Sequence, residues 1–182
     1  MITLNGFAIS LASEWIDNEA EYEKQDCELK AFKRLAEKLK KYFPKLPICI
    51  LADGLYSNQT FFKICKSMSW QYIVTLKDGS LKSLWEEIER ELLTSKNNLN
   101  MAKIKDLSQN FKWLNDLRYH DFVLSWIQCL ETKGDETNRF VVVTSMTIDT
   151  ENVCEISDSG RLRFKIENEG FNTQKNHAAF YS

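Results

Sequence analysis

The feature that most constrains the fold is a five-residue run, Ile48–Ala52 (ICILA), apolar at every position and bounded by Pro47 on one side and Asp53-Gly54 on the other. A strand with one wet face alternates apolar and polar residues. An uninterrupted run needs cover on both faces, the condition of a parallel strand between helices. The flanking sequence agrees. Upstream, Leu29, Phe32, Ala36, Leu39 and Phe43 recur at three- and four-residue steps, the period of an amphipathic helix, with Asp26 expected as its cap and Pro44 and Pro47 as its end. Downstream, Ser57 is the expected cap of a helix through about Met68, Tyr72–Leu76 reads as a second strand, and Leu81–Leu93 has helical period again. Strand and helix in alternation predict an α/β layered domain with parallel strands.

The ends of the chain follow other patterns. Asn5-Gly6 separates the apolar runs Ile2–Leu4 and Phe7–Leu11, which is a strong hairpin signal, and the acidic stretch Glu14–Glu23 follows it. From about Leu99 to Met146 the sequence turns to aromatic and β-branched runs, Phe111–Leu114, Phe122–Leu130 and Phe140–Ser145, with polar turns such as Lys133–Asn138 between them. Helix is expected again from about Glu151, with Gly160 and Gly170 as weak points in its periodicity. The expected organisation is an α/β core over 1–98, a β-rich insertion over 99–147 and a C-terminal helical segment over 148–182.

Composition narrows the class of protein. With 182 residues, 43% of them hydrophobic and only 2 Pro and 6 Gly, the chain can bury a core. It contains no apolar run near the ~18 residues that cross a bilayer, and MITLNGFAIS lacks the basic flank of a signal peptide, so a cytoplasmic protein without a membrane partner is expected. Cys27, Cys49, Cys65, Cys129 and Cys154 form no Cys-x-x-Cys pair, and His120 and His177 are the only histidines. This set supports neither a disulfide framework nor a zinc site. The net charge is −2, yet from Lys24 to Lys45 eight Lys or Arg face three acids. Lys30, Lys33, Arg34, Lys40 and Lys41 could follow a phosphate backbone, although lysine-rich helix faces are commonly just solvated surface.

Two acids stand out as candidates for chemistry. Asp53 follows the first parallel strand, and in open α/β sheets ligands collect at the carboxyl ends of strands, though Asp-Gly is equally at home in an ordinary turn. Glu167 lies in GRLRFKIENEGFNTQK (Gly160–Lys175), four residues after Arg163, where the plain reading is an intrahelical ion pair of roughly 0.3–0.5 kcal/mol. Taken together, a carboxylate at a strand end and another on a late helix can converge to hold divalent metal ions for phosphoryl transfer.

The segments Lys24–Leu39 (KQDCELKAFKRLAEKL), Pro47–Asn58 (PICILADGLYSN), Trp70–Gly79 (WQYIVTLKDG) and Gly160–His177 resemble the catalytic domain of DDE-type transposases of bacterial insertion sequences, and the resemblance covers nearly the whole chain. It implies a ribonuclease H-like mixed sheet with flanking helices, a β-rich insertion before the last helix, and an Asp-Asp-Glu triad that binds two magnesium ions. By the same resemblance Asp53 matches the second triad Asp and Glu167 the triad Glu of the Tyr-Arg-Glu-Lys signature, with Glu169 the alternative if the register shifts. Arg163 matches the signature Arg and Lys175 its Lys; these two, with Arg161, would contact DNA phosphates. Two departures stand out: Gly160 occupies the place of the signature Tyr, and Lys175 follows Glu167 by eight residues instead of seven. On a regular helix the eighth residue overshoots the face by about 80°, which a local bulge at Gly170 would absorb.

In this family the first triad Asp lies on the first strand of the sheet, and nothing before Asp53 fills that role: Asp17 sits in a polar segment and Asp26 reads as a cap. The expectation is therefore a catalytic-domain fragment lacking the first strand, marginally stable and without strand-transfer activity alone. Its partners would be insertion-sequence ends and target DNA, and a homodimer is compatible with the sequence. The competing expectations are a non-catalytic DNA-binding or interaction module, and a structural protein whose two acids lie too far apart to share metals.

Overall fold

The computed structural model describes residues 2–4, 7–9, 12–14, 24–94, 98–104 and 107–165. Its elements run β1 (Ile2–Leu4), β2 (Phe7–Ile9), α1 (Lys24–Tyr42), β3 (Cys49–Ala52), α2 (Gln59–Met68), β4 (Gln71–Thr75), α3 (Lys82–Thr94), β5 (Asn98–Ile104), β6 (Leu107–Tyr119), β7 (Phe122–Lys133), β8 (Glu136–Thr144) and α4 (Val153–Lys165). The chain divides into two compact units, 1–47 with 161–182 and 48–160. No described helix is long and apolar enough to cross a membrane.

In the first unit, β1 and β2 pair antiparallel with Leu4 opposite Phe7, so two residues connect them, as the Asn-Gly signal requires. They form a two-stranded sheet of their own. Helix α1 begins at Lys24, two residues ahead of Asp26. Asp26 thus lies inside the helix and is not its cap.

The second unit is built on a six-stranded mixed sheet in the order β3-β4-β8-β7-β6-β5. The predicted parallel pair is present, β3 and β4 running together with Cys49 opposite Gln71 and Ala52 opposite Val74. Strand β4 then pairs antiparallel with β8, and β8, β7, β6 and β5 continue as an antiparallel meander. The aromatic and β-branched strands of 99–147 therefore extend the sheet that begins at β3. Strand β3 lies at the edge, with Cys49 exposed and Ile50 and Leu51 half-buried, so the cover on both faces that its apolar run demands is incomplete among the described residues.

Side-chain alternation along β4 sets the layers. Tyr72 points to one face, where its ring stacks on Phe62 of α2 at 5.0 Å between centroids and meets Phe61 edge-on at 5.7 Å. Phe62 also packs edge-on against Tyr119 and Phe122, which joins α2 to the β6–β7 hairpin. Ile73 points to the other face, into a core with Phe111, Trp113, Ile127, Cys129 and Val142 of the sheet and Val153 and Ile156 of α4. Helices thus flank the mixed sheet on both sides.

Two local devices seat α4 on that sheet. A register shift in the β6–β7 ladder between Leu114 and Leu117, with Asp116 at φ 59°, marks a bulge. Beside it, the Asn115 amide donates to the Ile148 carbonyl at 2.8 Å and accepts the Ile148 N–H at 2.9 Å, so one side chain stands in for a strand partner just before the helix. Asp149 then accepts the N–H groups of Glu151 and Asn152, and Asn152 accepts that of Asp149, starting α4 two residues later than the sequence suggested. The second device is Gly160, read from the sequence as a weak point. A Cβ there would lie 2.9 Å from a Val142 methyl and 3.3 Å from an Ile73 methyl, so the absent side chain is what lets helix and sheet approach. The tyrosine of the signature has no room at this position.

Gly160→Ala is expected to destabilise the protein by about 1–3 kcal/mol through overpacking. Asn115→Ala, which strands two backbone groups, is expected to cost about 1–3 kcal/mol. Urea unfolding of each variant measures both losses.

Candidate functional site

Parallel pairing places the carboxyl ends of β3 and β4 side by side, and Asp53 is the first residue beyond β3. Its backbone is still extended, φ −85° and ψ 178°, and the chain then closes into a single 3-10 turn, Gly54–Tyr56. The Asp53 carboxylate caps that turn by accepting the Leu55 N–H at 2.9 Å, and the Tyr56 N–H returns to the Asp53 carbonyl at 3.0 Å. The acid is half-buried. The turn reading of Asp-Gly and the functional reading are thus both accommodated: one carboxylate oxygen helps fix the side chain at the strand end.

The next helix starts later than expected. Ser57 closes the 3-10 turn through its N–H to Gly54, and its buried hydroxyl has no hydrogen-bond partner among the described residues. The cap of α2 is instead Asn58, whose amide oxygen accepts the Phe61 N–H at 3.0 Å while its NH2 donates to the Leu55 carbonyl at 3.0 Å. An amide can bond forward to the helix and back to the turn, so Asn58 ties the 3-10 turn after Asp53 to the start of α2. Phe61, Phe62 and Cys65 are buried on the inner side of α2, and Ser69 ends the helix in the left-handed conformation. Desolvation first, and the neighbouring Cys49 second, push the Cys65 thiol up to about 12, which makes it an inert core residue.

Of the remaining predicted residues, Arg161 and Arg163 fall in the last turns of α4, with Arg161 half-buried. Glu167, Glu169, Gly170 and Lys175 lie outside the described residues, as does Asp17. Among the described residues no group of three or more His, Cys, Asp or Glu side chains collects in a way that could hold a metal ion. Asp53 is accordingly the one predicted ligand that lies among the described residues. A carboxylate oxygen is of the donor class magnesium takes, but a single one does not make a site.

The basic face of α1 is partly neutralised. Glu14 accepts from Arg34 Nε at 2.7 Å and from Lys38 Nζ, and these two cations, Lys38 first, hold the Glu14 carboxyl below the usual glutamate range. Arg34 is therefore engaged within the protein. Helical period cannot reveal this pairing, because Glu14 lies twenty residues before Arg34.

No protein-family model matches the chain, and comparison with curated proteins finds no relative.

Capping and any metal-binding role of Asp53 separate cleanly by substitution. Asp53→Asn keeps the oxygen that accepts from Leu55 and is expected to change stability by less than about 0.5 kcal/mol, whereas Asp53→Ala loses the cap at a cost of about 0.5–2 kcal/mol. Equilibrium unfolding in urea of the two variants is the measurement.

Proposed function

We propose that this chain belongs to the DDE-type transposases, with a ribonuclease H-like core, and that its chemistry is metal-dependent phosphoryl transfer on DNA. The observation that carries the reading is the placement of Asp53: a half-buried acid at the carboxyl end of a parallel strand, held by the Leu55 N–H and beside the end of a second parallel strand. The segment around it, PICILADGLYSN, is one of those in which the resemblance to that family is carried. In the ribonuclease H-like order a further strand lies beside the one that ends in this Asp, and β4 is the sole neighbour of β3 among the described residues.

On this reading Asp53 and Glu167 supply carboxylate oxygens to magnesium, with Glu169 in place of Glu167 if the register differs. Bound magnesium would polarise the phosphoryl oxygens and favour ionisation of an attacking water or 3′-hydroxyl. The chain's own residues supply the rest. Asp53 enters as a ligand fixed by its backbone partner, so little reorganisation accompanies binding. Arg163, Lys175 and Arg161 hold DNA phosphates and set the position of the scissile bond, as guanidinium and ammonium groups do without proton chemistry. A second reading, a DNA-binding module without a working metal site, draws on the lack, among the described residues, of any group of three or more His, Cys, Asp or Glu that could hold a metal ion.

Magnesium titration by calorimetry distinguishes the two. The reading predicts saturable binding that is weakened at least tenfold in both Asp53→Asn and Glu167→Gln while both variants keep their fold. Magnesium binding indifferent to both substitutions, together with salt-sensitive DNA binding that is also indifferent, selects the module.

A further inference from the structure

The turn after β4 faces the turn after β3, and one lysine bridges them. A Cβ on Gly54 would lie 2.8 Å from Cγ, 2.9 Å from Cε and 3.0 Å from Cδ of Lys77. The lysine stem therefore lies along the Gly54 α-carbon, on the residue next to Asp53, in space that a side chain at position 54 would fill. Glycine here clears a channel for another residue's side chain.

The root of that lysine is held unusually firmly for an exposed turn. Its carbonyl oxygen accepts three donors: the Ser80 hydroxyl at 2.6 Å, the Ser80 N–H at 3.1 Å and the Trp85 indole N–H at 3.3 Å. A carbonyl has two lone pairs, so three donors on one oxygen fix the peptide in position and direction. The adjacent acid is already matched. Arg139 Nη1 donates to both Asp78 oxygens at 2.8 and 3.0 Å, its Nε donates to Gln128 at 2.8 Å, and its guanidinium lies 5.6 Å from the centre of the Trp85 ring. Trp85 thus braces both residues, and the Asp78 charge is answered by Arg139. Among the described residues the Lys77 ammonium has no ion-pair partner.

We propose that Lys77 is a phosphate-positioning residue of the Asp53 site, its ammonium holding a DNA backbone phosphate beside the carboxylate. The inference rests on the phosphoryl-transfer reading above. A flexible point charge on a fixed root suits a phosphate, whereas a lysine that merely balanced Asp53 would need neither the three-donor clamp nor the cleared glycine. Position 77 was passed over in the sequence because a lysine in a Lys-Asp-Gly turn looks like ordinary surface.

The test is the salt dependence of binding to a duplex of about 20 bp, read by fluorescence anisotropy with Lys77→Met, Lys77→Arg and, as a surface control on α2, Lys63→Met. Methionine keeps an apolar stem over Gly54 and removes the charge. One lost phosphate contact lowers the slope of log K against log salt by about 0.9. The proposal expects that loss in Lys77→Met, recovery in Lys77→Arg and no change in Lys63→Met. An unchanged slope in Lys77→Met, or an equal loss in Lys63→Met, overturns the role of Lys77 alone. Absence of salt-dependent DNA binding by the unsubstituted chain overturns the transposase reading and this inference with it.

Discussion

Strand β4 is the constraint on which the larger unit depends. Five residues, Gln71–Thr75, join the parallel and antiparallel parts of one sheet, pairing with β3 on one side and β8 on the other. The same residues carry both layers of core, since Tyr72 takes the rings of α2 while Ile73 takes α4. A strand hydrogen-bonded on both edges and packed on both faces cannot shift register without reversing every side chain on it. The carboxyl ends of β3 and β4, and the residues Asp53 and Lys77 that follow them, inherit that fixed position. Even the α4 approach depends on it, because the Ile73 methyl is one of the two groups that require Gly160 to be glycine.

Much of this unit was legible in the sequence because its signals are local. An apolar run closed by Pro and Asp-Gly announced β3, helical period announced α2 and α3, and β-branched and aromatic runs announced β6, β7 and β8. Strand β5 falls in the β-rich stretch expected from Leu99, but no aromatic or β-branched run marks it as a strand. Apart from Ile104 the strand is made of Asn, Leu, Met, Ala and Lys, residues with little preference for strand, and it is extended because seven consecutive residues pair with β6. Helix starts were displaced for a related reason. Ser57 and Asp26 are good caps by type, but capping is decided by where the preceding turn delivers the chain. The 3-10 turn at Gly54–Tyr56 hands that position to Asn58.

The candidate site was legible in one part of two. Asp53 could be found because strand-end acids follow from the order of elements, and a βαβ unit is readable from period alone. Lys77 could not, because what distinguishes it is a carbonyl shared by Ser80 and Trp85 and a stem that crosses a glycine twenty-three positions earlier. Those are contacts between loops, invisible to periodicity. A signal did exist: Gly54 and Lys77 each follow the end of a strand in the same parallel pair, so any such pair invites the question of which side chain fills the space a glycine leaves. The charge pattern is incomplete for the same reason. Of the basic residues counted on α1, Arg34 is tied to Glu14, as is its neighbour Lys38, and this acid comes from a segment that the helix pattern does not include.

Among the described residues β3 lies at the edge of its sheet, next to the candidate site. An apolar strand with one bare hydrogen-bonding edge is ordinarily a hazard, and proteins guard such edges with charge, proline or a bulge. Here Pro47 stands just before the strand and Asp53 just after it, so the guards sit at the ends and Cys49–Ala52 has none along its length. Extending the sheet by a strand on that side would bury Ile50 and Leu51 further and would bring a third strand end alongside Asp53 and Lys77. A parallel strand would present its own carboxyl end there, an antiparallel one its amino end. Only the first could deliver a following side chain into the site in the manner of Asp53. The apolar run that fixes the fold class and the acid that suggests the chemistry are therefore two consequences of the same edge.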